Sequence, residues 1–394
     1  MKIAGITAEY NPFHAGHAYQ ILQTSKLYET DAVICMMSGH FVQRGEAAIY
    51  NKWTRAQAAI LGGADIVLEL PFFYATQSAE GFAHGAVSIL DALQCVSILS
   101  FGTEAPDLSG IKKIAQMLAD EPATLRAALR EYLSGGVSYP AARAAALKIC
   151  CPDVDETLYR SPNNILGIEY IKALLRNNSK IIPASVTRKG GQYAHNELSA
   201  QYSSATAIRR ELIAGGLKNL GDADIPAAVR TLYIGAPVIP ASVFPYILFC
   251  LRSMDIEQIR DIYEVSEGLE YKLQQAAYTA QSYGELIGAV KSKRYTQTRI
   301  QRTLLYIMMN LTKEKAQQLK TQPLYARVLA VKRERLDLLS ELKAKATIPV
   351  ITKASEFSDS PLFDLDIKAS DLYALLQQKI APARRDFTQK FLII

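Results

Sequence analysis

Short apolar runs at residues 1–8, 32–37, 65–70, 96–101 and 181–186 recur between amphipathic stretches at 52–61, 79–93, 108–118, 165–175 and 205–214. No other feature restricts the fold as much. Runs this short, without polar alternation, suit strands covered on both faces. A helix-patterned segment between successive runs supplies the crossover that parallel strands require. The alternation therefore predicts a doubly wound α/β sheet through about residue 215. Sheets of this kind bind ligands beyond the carboxyl ends of their strands. The informative side chains are those just after each run.

These positions are polar and specific. Glu9-Tyr10-Asn11-Pro12-Phe13 forms a turn after the first run, and His14-Ala15-Gly16-His17 opens an amphipathic stretch that continues to about Leu27. A strand turning straight into a helix offers free backbone N–H groups and a positive dipole end, which suit phosphate. Gly16 has no Cβ, so a phosphate can approach its backbone. The two imidazoles can donate to the same phosphate oxygens, and a polyanion beside them favours their protonation. A metal site would be the other use of two histidines, but the nearby chain offers no third ligand at zinc-like spacing. Ser38-Gly39-His40-Phe41-Val42-Gln43-Arg44-Gly45-Glu46, Gly102-Thr103-Glu104 and Thr187-Arg188-Lys189-Gly190-Gly191 follow later runs.

A second anion cradle is read in Ser203-Ser204-Ala205-Thr206-Ala207-Ile208-Arg209, where a hydroxyl can cap a helix and Arg209 brings a fixed charge one turn in. Two such sites facing one crevice suit ATP attacked at its α-phosphorus. The expected catalytic set is His14, His17, Ser204, Thr206 and Arg209, with Mg²⁺ accompanying ATP and no covalent nucleophile on the protein. Arg188 and Lys189 are candidates for the phosphates or the second substrate. In Pro162-Asn163-Asn164 one amide can cap the following helix or read the adenine or ribose. The chain has no Walker A pattern and no Gly-x-Ser-x-Gly elbow, which sets aside P-loop and hydrolase chemistry.

At 394 residues the chain is long enough for more than one domain. Strand alternation fades in the glycine- and aspartate-rich stretch 215–224, giving an α/β domain at 1–218 and a mainly helical, basic domain at 219–394. The later periodicities fall at 256–265, 268–278, 282–290, 298–310 and 324–342, with a strand near 348–351 and a last helix at 370–379. The five cysteines are scattered through apolar runs, as reduced core residues would be. No apolar run is long enough for a membrane span, and a cytoplasmic protein is expected. A net charge of +6 permits a nucleic-acid partner. Lys291-Ser292-Lys293-Arg294-Tyr295-Thr296-Gln297-Thr298-Arg299-Ile300-Gln301-Arg302 is the leading RNA-binding stretch. Helical spacing puts Lys291, Arg294 and Arg302 on one face, opposite Ile300, Leu304 and Ile307. Lys293 and Arg299 add charge there, and Lys332-Arg333-Glu334-Arg335, after Tyr325 and Arg327, forms a further cluster of the kind RNA requires.

With these residues assembled, the chain resembles the bacterial tRNA(Met) cytidine acetate ligases from end to end. His-x-Gly-His and Ser-x-Thr-x-x-Arg are common to the wider nucleotidyltransferase superfamily. Glu9-Tyr10-Asn11-Pro12-Phe13-His14, Gly39-His40-Phe41-Val42-Gln43-Arg44-Gly45-Glu46, Lys52-Trp53-Thr54-Arg55, Gly63-Ala64-Asp65-Ile66-Val67-Leu68-Glu69-Leu70-Pro71 and Pro162-Asn163-Asn164-Ile165-Leu166-Gly167 are more particular. The resemblance implies a Rossmann-like nucleotidyltransferase domain followed by a tRNA-binding helical one. It further implies acetate attack on ATP to give acetyl-adenylate, then transfer to N4 of the wobble cytidine of elongator tRNA(Met). ATP would contact Thr7-Ala8-Glu9-Tyr10-Asn11-Pro12-Phe13-His14-Ala15-Gly16-His17-Ala18-Tyr19-Gln20, Gly102, one asparagine of Asn163-Asn164 (Asn163 preferred), Arg188 and Lys189. The rival reading is an adenylyltransferase acting on a small phosphorylated coenzyme precursor. An RNA-binding protein that kept the fold and lost the chemistry is a third, opposed by the intact His14, His17 and Arg209.

Overall fold

The structure is a computed structural model that describes residues 1–104, 107–188, 198, 202–357 and 359–394. In chain order its strands are β1 (Ile3–Ala8), β2 (Ala32–Ser38), the short pair β3 (Phe41–Val42) and β4 (Glu46–Ala47), β5 (Ile66–Leu70), β6 (Val96–Thr103), β7 (Ile182–Thr187), β8 (Ala326–Val331), β9 (Val350–Ile351) and β10 (Leu392–Ile393). The main sheet runs β10-β8-β5-β2-β1-β6-β7, with β9 beside β8. From β5 to β7 every pairing is parallel. The chain builds outward from β1 through β2 to β5, then returns to β1's other side for β6 and β7. The order reverses between β1 and β6, where a doubly wound sheet opens its ligand crevice.

The strands form because their residues are buried on both faces. All of β2 is buried. Ile34 and Met36 join one core cluster with Ile66, Leu68 and Leu99. Val33, Cys35 and Met37, pointing the other way, join a second with Trp53, Ala56 and Val67. This is the period of two expected of a pleated strand between helical layers.

The second half departs from its sequence reading at the sheet edge. Residues 324–342, expected as one helix, divide into β8 and the helix Leu336–Lys345. Every residue of β8 is buried, including Arg327. A short, continuously apolar run carries no period that separates strand from buried helix. Strand β8 pairs antiparallel with β5 and carries β9 and β10, so the sheet extends past the boundary expected near residue 218. The last long helix is Pro361–Leu375, beginning well before the 370–379 reading, because Ser360 caps it by accepting from the Phe363 amide. The remainder of residues 219–394 is mostly helical, centred on Gln297–Met309 with Ile300, Leu304, Leu305 and Ile307 buried. All five cysteines are free thiols. Among the described residues, no helix is long and apolar enough to cross a membrane.

Candidate active site

A cavity of about 240 Å³ opens at the carboxyl ends of β1, β6 and β7. Thr7, Ala8, Phe101, Gly102, Val186 and Arg188 supply its floor from those strand ends. His14, Gly16, His17, Tyr19 and Gln20 line one wall, and Ser203, Ser204, Ala205, Thr206 and Arg209 line another. The two motifs, far apart in the chain, therefore face one space. They also touch. Arg209 donates through one guanidinium nitrogen to the Asn11 carbonyl at 2.8 Å and through the other to Thr206 Oγ1 at 3.1 Å.

The His-x-Gly-His turn is a reciprocal cap. His14 is the N-cap of the helix Ala15–Tyr28, and its Nδ1 accepts from the Gly16 amide at 3.1 Å. His17 Nδ1 accepts from the His14 amide at 3.2 Å, and the ring centroids lie 3.7 Å apart. A nitrogen that accepts a backbone hydrogen bond carries no proton, so each neutral ring keeps its proton on Nε2. Burial holds the free enzyme's rings neutral. It lowers His14 to about 3, helped by the Arg188 and Arg209 charges, and it lowers His17 well below the usual range, helped by His14 and Arg188. The cavity is thus lined by neutral imidazole N–H donors rather than imidazolium cations.

Two expectations about this turn change. The helix amides are already satisfied: Ala15 donates to the Asp224 carbonyl at 2.8 Å and Gly16 to His14. Side chains and the helix dipole, rather than free amides, are what this turn presents to the cavity. Gly16 is required for a different contact as well, since a Cβ there would stand 2.9 Å from His14 Cε1.

The rest of the Thr7–Gln20 stretch divides its labour. Thr7, Ala8, Glu9, Tyr10 and Asn11 line the cavity. Phe13 is wholly buried, and Tyr233 fixes it by accepting from its amide at 3.1 Å and donating to its carbonyl at 3.3 Å. Ser204 caps the helix Ala205–Gly215 by accepting from the Ala207 amide at 3.1 Å, as the sequence predicts. The asparagine pair does not cap its helix. Asn163 lines the cavity, donates to Glu104 Oε1 at 2.6 Å and accepts from Arg188 at 3.3 Å. Asn164 is buried and accepts from the Glu104 amide at 3.1 Å. Lys189 lies outside the described residues.

Sequence reasoning did not assign the wall formed by Val42, Gln43, Arg44 and Glu46, although it marked that loop as polar, nor the apolar patch of Phe82, Phe101, Leu166 and Tyr170. The loop was recognisable by its position after β2. The aromatic residues carried no signal, because each reads as ordinary core. Glu9 accepts from the Gln43 amide at 2.9 Å, and burial raises its carboxyl above the usual range against the opposing pull of Arg44.

The expected RNA-binding residues separate. Lys291, Lys293 and Arg294 are exposed in the segment before the helix Gln297–Met309, not on one helical face with Arg302. Arg302 is buried and paired with Glu264 at 3.3 Å. Arg299 donates to Ser266 Oγ at 2.9 Å and the Glu264 carbonyl at 3.0 Å, with Tyr295 beneath its guanidinium. In the second basic cluster Lys332 and Arg333 are exposed, whereas Tyr325 and Arg327, which precede it, are buried at and within β8.

Residues 1–388 match the HIGH Nucleotidyl Transferase family. A tRNA(Met) cytidine acetate ligase of Thermoanaerobacter sp. is 39% identical over 98% of both chains. The enzyme of that name from Acetivibrio thermocellus is 39% identical over 100% of each. This chain belongs to the tRNA(Met) cytidine acetate ligase family. The crystal structure of apo Thermotoga maritima TmcAL superposes with a TM-score of 0.94 at 32% identity, covering 100% of each chain. A second structure of TmcAL, bound with alpha-thio ATP, gives 0.91. The chain is thus a ligase of the nucleotidyltransferase superfamily, built on that family's ATP-binding fold.

Proposed function

We propose that the protein is an ATP-dependent ligase that acetylates N4 of the wobble cytidine in elongator tRNA(Met). The observation that carries this reading is the convergence of His14 and His17 with Ser204, Thr206 and Arg209 on one cavity, in a chain of the acetate ligase family. An acetate oxygen attacks the α-phosphorus, forming an acyl–phosphate bond as the α–β bridge breaks and pyrophosphate leaves. The cytidine amine then attacks the acetyl carbon. A carbon–nitrogen bond forms, the bond to AMP breaks, and N4 gives up a proton.

The protein's part is positioning and charge stabilisation. The imidazole Nε2–H groups and Arg209 donate to phosphate oxygens, while Arg188, Asn163 and Gly102 border the nucleotide. Gly102 leaves room for the Arg188 side chain, whose Cγ a Cβ would meet at 3.3 Å. Magnesium accompanying ATP would help neutralise the phosphates. No group of at least three His, Cys, Asp or Glu side chains suited to a metal occurs among the described residues. The protein's share of its coordination would be one or two oxygens, and Glu9 is a carboxylate on the cavity wall. Lys291, Lys293 and Arg294 are exposed cations available to the tRNA backbone.

The test is a reaction of purified protein with ATP, labelled acetate and tRNA, followed by nucleoside mass spectrometry. Acetylcytidine together with acetate-dependent pyrophosphate exchange is expected. Pyrophosphate release that required a mononucleotide or phosphopantetheine instead would replace this reading with a coenzyme adenylyltransferase.

A further inference from the structure

The adenylate cavity and the lysine-rich segment are joined by one small element. Strands β3 and β4 pair Phe41 with Ala47 and Val42 with Glu46, leaving Gln43-Arg44-Gly45 as the connection. Gly45 donates to the Val42 carbonyl at 2.9 Å and has φ +78. That is a three-residue hairpin whose last position must be left-handed, so glycine is demanded there.

The hairpin's two sides do different things. Val42, Gln43, Arg44 and Glu46 face the cavity, and the Gln43 amide holds Glu9. Gly45 faces the helix Gln297–Met309. A Cβ on it would lie 2.6 Å from the Gln301 carbonyl carbon and 2.8 Å from Arg302 Cα, with the Arg302 amide nitrogen closer still. Gln301, itself buried, donates to Glu46 Oε1 at 2.8 Å. The helix is fixed on its far side by Tyr306, which donates to the Thr76 carbonyl at 2.6 Å. Its N-cap, Thr296, follows directly after Lys291–Tyr295. A contact chain therefore runs from cavity wall to hairpin to helix to basic segment.

Resting on the function proposed above, we propose that Gly45 and Gln301 are positioning residues for the second half-reaction. They set this helix, and the exposed Lys291–Arg294 segment that precedes it, against the cavity so that the cytidine of a tRNA bound to that segment reaches the adenylate. Neither residue lines the cavity. Both act through the hairpin.

The experiment compares wild type, Gly45→Ala and Gln301→Leu in the full-length protein. It measures acetate-dependent ATP–pyrophosphate exchange, tRNA affinity, and single-turnover transfer from preformed acetyl-adenylate at saturating tRNA. Gly45→Ala should slow transfer by about tenfold to a hundredfold, since a displacement of about an ångström is costly in a positioned reaction. Exchange and tRNA affinity should stay within about threefold of wild type. Gln301→Leu should show the same split with a smaller loss, and it decides the matter if Gly45→Ala does not fold. Parallel losses of exchange and transfer would overturn the proposal in favour of a purely structural hairpin. A weaker tRNA affinity with undiminished transfer at saturation, or no change in either variant, would also overturn it. If wild type itself lacks acetate-dependent exchange, the functional reading fails and the inference fails with it.

Discussion

Two charge-rich regions sit at the carboxyl ends of neighbouring strands of one sheet, and they have opposite fates. The cavity beyond β1 and β6 keeps its histidines, arginines and carboxylates around open space. The region beyond β2 and β5 is closed. There Lys52 Nζ is wholly buried and bonds Glu69 at 2.7 Å, Asp386 at 2.6 Å and Ser370 at 3.2 Å. Arg327 completes the set by pairing with Asp386, and with Glu69 at 3.2 Å. His40 bonds Ser370 at 3.1 Å and stacks on Tyr373. Arg55, also wholly buried, donates to the backbone carbonyls of Glu9, Ser38, Gly39 and Tyr50, holding the ends of β1 and β2. The difference lies in partners. Where cations and carboxylates cancel in place, the charges hold the fold together; where they are left facing a cavity, they are available to a polyanion.

Removing the centre of the closed set should produce the largest effect. Lys52→Met leaves Glu69 and Asp386 buried with only Arg327 to balance them, and breaking a buried pair costs about 3–5 kcal/mol. Urea unfolding should show that loss, and adding Glu69→Gln should recover part of it. Pyrophosphate exchange by the remaining folded protein should change little. A variant of unchanged stability that had lost exchange would move this cluster into the active site.

The complementary variant is His17→Ala. It deletes an Nε2–H donor and the acceptor for the His14 amide. Loss of one preorganised donor to a charged transition state lowers rate by about 10²–10³. Exchange should fall by that factor while tRNA binding stays near wild type. Exchange at wild-type level would remove the imidazoles from the chemistry and erase the contrast between the two regions.

That contrast marks where the sequence stopped being readable. The strands at residues 32–37 and 65–70 and the cavity motifs were legible, because burial on both faces and a strand-to-helix turn leave local patterns. His40, Lys52, Arg55 and Glu69 occur in motifs as distinctive as His14-Ala15-Gly16-His17, and nothing local says that they are structural. Their sign depends on Asp386, which lies 334 residues from Lys52. Separation along the chain also disguised β8: Arg327 reads as a surface cation until Asp386, 59 residues away, and Glu69 are placed beside it. Tyr170 and Phe101 were illegible for the converse reason. Their rings lie 5.6 Å apart and read as ordinary core, yet they border the cavity.

Both regions should respond to acid. Burial lowers His14 to about 3, and burial with the Lys52 charge lowers His40 well below its usual 6.5. Between the folded and unfolded values the unfolded chain binds more protons, so stability rises with pH in that window and is lost as pH falls below about 6.5. Each such histidine contributes a slope of up to about 1.4 kcal/mol per pH unit. Unfolding free energies measured from about pH 7 to about pH 4.5 should show this limb, and His40→Asn should flatten it. ATP should leave the His40 part untouched, because the closed set has no access to the nucleotide, and should reduce the His14 part by placing phosphates beside that ring. An equal response of both to ATP would mean that the two regions are not separate.

The smallest effect concerns the exposed cations. Arg294 pairs with Glu267 at 2.7 Å across an exposed surface, an ion pair worth little in water. It can be exchanged for a phosphate at small cost, and Lys291 and Lys293 beside it are equally exposed. Replacing Lys293 and Arg294 by alanine should reduce the slope of log affinity for tRNA against log salt by about one unit for each phosphate the protein no longer neutralises. Folding should be unaffected, since neither side chain is buried. Arg302→Ala should do the reverse: it strands Glu264 and lowers stability, with the salt slope of the folded protein unchanged. If Arg302→Ala altered the slope and the exposed pair did not, the tRNA would have to approach Arg302 from the hairpin side, through the space that Gly45 now fills.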